Sequence, residues 1–161
     1  MKQKIIFALF VFLVAVAAAK GQGQEVLRVN AGNIRHLHIS DNMNIVLMQG
    51  SEKEFKFNNV AADNLNMALI GETLHLSVKE RMFRKEKITV YIEIGDLKKL
   101  TIDGNAVVDT RGVLNAKKID VYVNGDVKVR LLTMGKVNAY PIGDSEVSVK
   151  YTPASLISSI Y

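Results

Sequence analysis

Apolar and polar residues alternate with a period of two through most of the chain, most clearly between Leu97 and Val149. Three stretches there share one plan: Leu100-Thr-Ile102-Asp-Gly104-Asn-Ala106-Val-Val108, Val121-Tyr-Val123-Asn-Gly125-Asp-Val127-Lys-Val129, and Val137-Asn-Ala139-Tyr-Pro141-Ile-Gly143-Asp-Ser145-Glu-Val147-Ser-Val149. Alternation of period two describes a β-strand that buries one face. A glycine keeps phase with the apolar set in each copy, and Gly104, Gly125 and Gly143 stand 21 and 18 residues apart. Self-similarity near this length predicts stacked repeat units. In such a stack the glycines mark a sharp bend or a close backbone approach in every coil. The same register sets Asp103 beside Asn124 and Ile142, and Asn105 beside Asp126 and Asp144.

Upstream, Leu37, Ile39, Ile45 and Leu47 share a parity around Ser40-Asp41-Asn42, so Asp41 stands where the later copies carry glycine. Phe55-Lys-Phe57, Leu74-His-Leu76-Ser-Val78 and Ile88-Thr-Val90-Tyr-Ile92-Glu-Ile94 read as further strands, and Met48 to Ser51 as a turn. A helix could be argued only for Val60 to Ile70, where asparagines and the missing 3.6 period speak against it. The expected fold is all-β, a right-handed parallel β-solenoid of short strands. A β-sandwich, with the glycines as unrelated turn residues, is the alternative.

The N-terminus departs from this pattern. Lys2 and Lys4 precede an unbroken apolar run of fifteen residues from Ile5 to Ala19. That is shorter than the ~20 residues a membrane-spanning helix needs, and small residues follow it. Residues 1–21 read as a signal peptide, and 22–161 as a single all-β domain with no stable membrane span after cleavage. Removing Lys2, Lys4 and Lys20 from a formal charge of +5 leaves +2, too little to imply nucleic acid as a partner. The chain has no cysteine, so neither a disulfide nor a lipoprotein anchor is expected. The expected address is the periplasm, the cell surface or the medium.

From Leu97-Lys-Lys-Leu100-Thr-Ile102-Asp-Gly104 the chain resembles a known bacterial family. The return through Leu114-Asn-Ala-Lys-Lys-Ile119-Asp-Val121, then Asn124-Gly125-Asp and Gly143-Asp-Ser145, is similar to the autotransporter adhesin head, or GIN, domain. The segment Val149-Lys-Tyr151-Thr-Pro153 is similar to that family's closing stretch, although a glycine often met there is absent. The resemblance runs from about Val29 onward. It implies an all-β, solenoid-like fold, an envelope or surface location and an adhesion role.

Candidate chemistry is sparse. His36 and His38 lie two apart on one strand face, and parity turns both of them and His75 toward solvent. No third or fourth ligand stands at metal-site spacing, so no metal or cofactor is expected. Outward acids beside the repeat glycines are scattered at turns rather than paired across a cleft, and no nucleophile set appears. The reading is therefore a non-enzymatic exported binding module, with glycan or a surface protein as partner. A structural envelope protein assembling through its edges and a polysaccharide hydrolase or lyase are the alternatives. Outward Tyr91, Tyr122 and Tyr140 are the candidate ligand-facing residues. The basic run Lys79 to Lys87, five basic and two acidic residues around Met82-Phe83, reads as a solvated loop. The C-terminal end, Ala154 to Tyr161, is expected to pair within the chain or, through the C-terminal edge, across a homo-oligomer, because an unclosed stack leaves unpaired backbone groups.

Overall fold

The computed structural model describes residues 24–28, 34–50, 54–58, 65–79 and 88–153. Among them are thirteen strands and no helix: β1 (Gln24–Arg28), β2 (His36–Ser40), β3 (Met43–Gln49), β4 (Glu54–Asn58), β5 (Leu65–Ile70), β6 (Thr73–Val78), β7 (Ile88–Ile94), β8 (Lys99–Gly104), β9 (Val107–Arg111), β10 (Lys118–Gly125), β11 (Lys128–Thr133), β12 (Lys136–Ile142) and β13 (Glu146–Tyr151). The leader, residues 80–87 of the basic run and residues 154–161 lie outside the described residues.

The strands form a seven-stranded sheet, β1-β4-β7-β3-β9-β11-β13, and a six-stranded sheet, β12-β10-β8-β2-β6-β5. The alternation explains why there are two. Each repeat is a strand, a glycine-bearing bend and a second strand, so β8, β10 and β12 join one sheet while β9, β11 and β13 join the other. Within each sheet these repeats pair in parallel, copy beside copy. The pair β2/β3 lies on the other side of β8/β9, again in parallel register. Spatial order then departs from chain order, since β6 and β7 fold back onto the outer side of β2 and β3. Strands β5 and β4 pair antiparallel with β6 and β7, and β1 with β4.

Inward residues of both sheets make one apolar core. Register lines up Leu74, Leu37, Leu100 and Val121 as one row, and Leu76, Ile39, Ile102 and Val123 as the next. The facing sheet supplies Val90, Ile45, Val108 and Val129, and all twelve side chains are buried. Such ladders remove apolar area from water at about 25 cal/mol per Å². Among the described residues every buried side-chain nitrogen and oxygen has a partner. Thr133, fully buried, donates to the Leu114 carbonyl at 3.2 Å and accepts from the Gly135 amide at 3.2 Å.

The repeat glycines stand in one column for a steric reason. Gly104 and Gly125 are register partners at φ 122° and 117°, a region that L side chains rarely adopt. A Cβ on Gly125 would overlap the carbonyl oxygen of Gly104 and stand 3.1 Å from its carbonyl carbon. Gly143 follows at φ 79°, where a Cβ would lie 3.4 Å from the Gly125 oxygen. Asp41 fills the equivalent place in the β2/β3 layer at φ 77°. Its amide donates to the Asp103 carbonyl at 3.0 Å, and its carboxylate accepts from the Val78 amide at 3.3 Å.

Two sequence expectations change. The turn foreseen at Met48 to Ser51 starts later, since Met48 and Gln49 still pair with Glu93 and Ile94. The end of the doubtful helical segment is the edge strand β5. A hairpin at Gly71-Glu72, with Gly71 at φ 61°, returns it to β6.

Candidate binding face

The outer face of the six-stranded sheet carries most of the side chains singled out from sequence. Polar residues alternating with the buried rows fall into three outward columns. The first reads Thr73, His36, Lys99, Asp120 and Asn138; the second His75, His38, Thr101, Tyr122 and Tyr140; the third Ser40, Asp103, Asn124 and Ile142.

Parity placed the histidines outward, and there they are half-buried rather than free. His38 Nδ1 lies 3.1 Å from His75 Nδ1, and His38 Nε2 lies 3.0 Å from Asp103 Oδ2. Only the fold-back of β6 onto β2 brings His75 here, from 37 residues along the chain. With Asp103 ionised, the set is satisfied when His38 donates from Nε2 and accepts at Nδ1 from His75. Within the first column, His36 Nδ1 lies 3.4 Å from the Thr73 hydroxyl. No three His, Cys, Asp or Glu side chains converge as a metal-binding group among the described residues.

The tyrosines divide. Tyr122 and Tyr140 are register partners on β10 and β12, with ring centroids 4.7 Å apart and planes 12° apart. Lys99 Nζ covers Tyr122 at 4.9 Å from the ring centroid. The mutual stack covers the facing side of each ring, and the two residues remain 39% and 47% exposed. Tyr91 stands half-buried on the seven-stranded sheet, in register with Val46 of β3 and Lys56 of β4, and belongs to a different face. Beside the tyrosine pair, Asn138 donates to Asp120 Oδ1 at 2.7 Å and Lys118 to Asp120 Oδ2 at 3.0 Å. The Asn138 amide first, and then Lys118, hold the Asp120 carboxyl below the ordinary carboxylate range. Asp120 in turn raises the Lys118 ammonium above its ordinary value.

The stripe beside the glycines is hydrogen-bonded. Asn124 donates to Asp103 Oδ1 at 3.4 Å. With its amide turned to donate, Asn105 reaches Asp126 Oδ2 at 3.2 Å and the Asp126 carbonyl at 2.9 Å.

A two-sheet β fold with glycine-marked parallel layers and a polar outer face is the setting for the family comparison. Residues 33–151 match the family described as "Putative auto-transporter adhesin, head GIN domain". The chain belongs to this family. Solved structures similar to this GIN domain include a "putative adhesin" from Parabacteroides distasonis at 12% identity and TM-score 0.53. That likeness covers 79% of this chain and 64% of the other, and it bears on the fold alone. A "putative adhesin" from Bacteroides fragilis aligns at 17% identity and TM-score 0.45, over 83% of this chain and 70% of that one. A third, a "Putative lipid binding protein" from Parabacteroides distasonis, aligns at 15% identity and TM-score 0.41, over 76% and 60%. The GIN domain here thus spans less than two thirds of the length of two of these three structures. No curated protein matches it.

Proposed function

We propose that this GIN domain is an exported, non-enzymatic adhesion module of the bacterial envelope. In this reading it is a right-handed solenoid-like coil whose six-stranded sheet presents its outer face to glycan. The observation that carries it is the exposed Tyr122–Tyr140 pair beside Lys99, Lys118, Asp120 and Asn138. Ring edges bear partial positive charge and hydroxyls donate and accept, so the pair suits the oxygen-rich surface of a sugar. The neighbouring ammonium, carboxylate and amide groups are already held in place by one another, which lowers the entropy lost on binding. The basic start and short apolar run at the N-terminus support export.

A glycan array probed with the processed protein tests the reading. Tyr122→Ala and Tyr140→Ala are each expected to lower affinity by about fivefold to tenfold, the scale of one aromatic contact. Equal binding by both variants, or turnover of an acidic polysaccharide by the wild type, would sink it. N-terminal sequencing of the envelope or secreted fraction tests the address. A chain beginning at Met1 in the cytoplasm contradicts export.

A further inference from the structure

Strand β13 ends the seven-stranded sheet and β12 ends the six-stranded one, so each shows one free backbone edge among the described residues. The two edges differ. On β12, Lys136 donates inward to the Lys117 carbonyl, which by alternation turns Val137, Ala139 and Pro141 to the free side. Pro141 has no N–H, so that edge is interrupted. On β13, the Glu146 amide donates inward to the Val127 carbonyl at 2.8 Å and the Thr152 amide to the Thr133 carbonyl at 3.0 Å. Val147, Val149 and Tyr151 therefore direct both N–H and C=O to the free side, and no proline interrupts them.

We propose that this edge pairs antiparallel with the same edge of a second copy of the chain, about a two-fold axis at Ser148. The sequence Glu146-Val-Ser-Val-Lys150 is self-complementary in that register. Val147 meets the partner's Val149 as a hydrogen-bonded pair, the geometry their outward-facing amides and carbonyls require. Glu146 meets the partner's Lys150 as a non-hydrogen-bonded pair, where side chains come closest, and the contact occurs twice by symmetry. The small Ser148 meets the partner's Ser148 on the axis, where bulk would be least tolerated. Val147 and Val149 are only half-buried in the single chain, and pairing covers what they leave exposed. A shift of the centre by one residue to Val149 sets Ser148 against the partner's Lys150 and loses both ion pairs. The two-fold axis runs normal to the sheet, so the six-stranded sheets of both copies lie on one side of the continuous seven-stranded ones.

The absence of native cysteine makes the test direct. In the processed full chain, Ser148→Cys sits opposite its own copy at a Cα separation of about 4.5 Å, within disulfide reach. It is expected to give a disulfide-linked dimer rapidly on mild oxidation. Glu146→Cys and Lys150→Cys each stand about 13 Å from their own copies, four residues along the strand, and are expected to cross-link far less. In sedimentation equilibrium the wild type should show a monomer–dimer equilibrium. Glu146→Lys should raise its Kd about tenfold, and adding Lys150→Glu should restore it. A wild type that stays monomeric at every concentration overturns the proposal. So does equal cross-linking by all three cysteine variants, or a charge reversal that the second change does not rescue. Failure of Ser148→Cys to cross-link in a well-folded chain would equally overturn it.

Discussion

A methyl group at Gly125 would meet the backbone of Gly104 rather than a side chain able to move aside, and it would do so at φ 117°. Both penalties fall on one residue. Gly125→Ala is expected to destabilise by about 3 kcal/mol, from overpacking and backbone strain together. Gly71, at φ 61°, has nothing within 4 Å of an added Cβ, so Gly71→Ala should cost only about 1 kcal/mol of backbone strain. Thermal denaturation of the two variants side by side separates crowding from conformation; equal losses would remove the steric account of the column. Asp120 adds a pH-dependent residue effect. Its folded pKa is lowered by Asn138 and Lys118, so its contribution is present above the unfolded value and disappears as pH falls through the folded one. Any loss of melting temperature in Asp120→Asn should therefore be largest near neutral pH and shrink below about pH 4. A gap independent of pH would show that the carboxylate does not act through its charge.

Strand β11 shows what a single element can and cannot lend to stability. Leu131 points inward at 2% exposure, while Arg130, one position earlier, points out and donates from Nε and Nη2 to the two carboxylate oxygens of Asp109 on β9. Asp109 raises the Arg130 pKa, first through this hydrogen bond and then through its charge. The pair is solvent-facing and screened, so Arg130→Ala is expected to cost little. Leu131→Ala opens a cavity in the core and is expected to cost about 2 to 4 kcal/mol. Chemical denaturation of the two variants checks the ranking, and a larger loss for Arg130→Ala would reverse the face assignment of the strand. Pro141 is also informative at this scale. It sits on β12, the end strand of its sheet, where a missing N–H leaves no inner ladder bond unmade.

At the scale of the whole molecule, antiparallel pairing through β13 would carry two Tyr122–Tyr140 pairs on one side of a dimer. A multivalent glycan surface would then be held with higher avidity than a single soluble oligosaccharide. Comparing the oxidised Ser148→Cys dimer with its reduced form on immobilised glycan, at concentrations below the dimer Kd, measures the gain. Equal retention by both forms would mean that only one tyrosine pair reaches the ligand at a time.

Much of this was legible along the chain because β-strands write their faces into the sequence at period two. The buried rows through Leu100, Ile102, Val121 and Val123, the phase-matched glycines and the place of Asp41 all follow from side-chain parity, a local property of the backbone. The neighbours of Asp103 and Asn124 followed too, since consecutive repeats pair in register. What parity cannot carry is which strand lies beside which when chain order and spatial order part. The return of β6 and β7 to the outer side of β2 and β3 rests on long-range pairing. That pairing alone set His75 against His38 and Asp103, and placed Tyr91 on the sheet away from Tyr122 and Tyr140. Outward direction is determined residue by residue, whereas membership of a common face is decided by sheet order. The tertiary structure therefore decided which outward residues could act together.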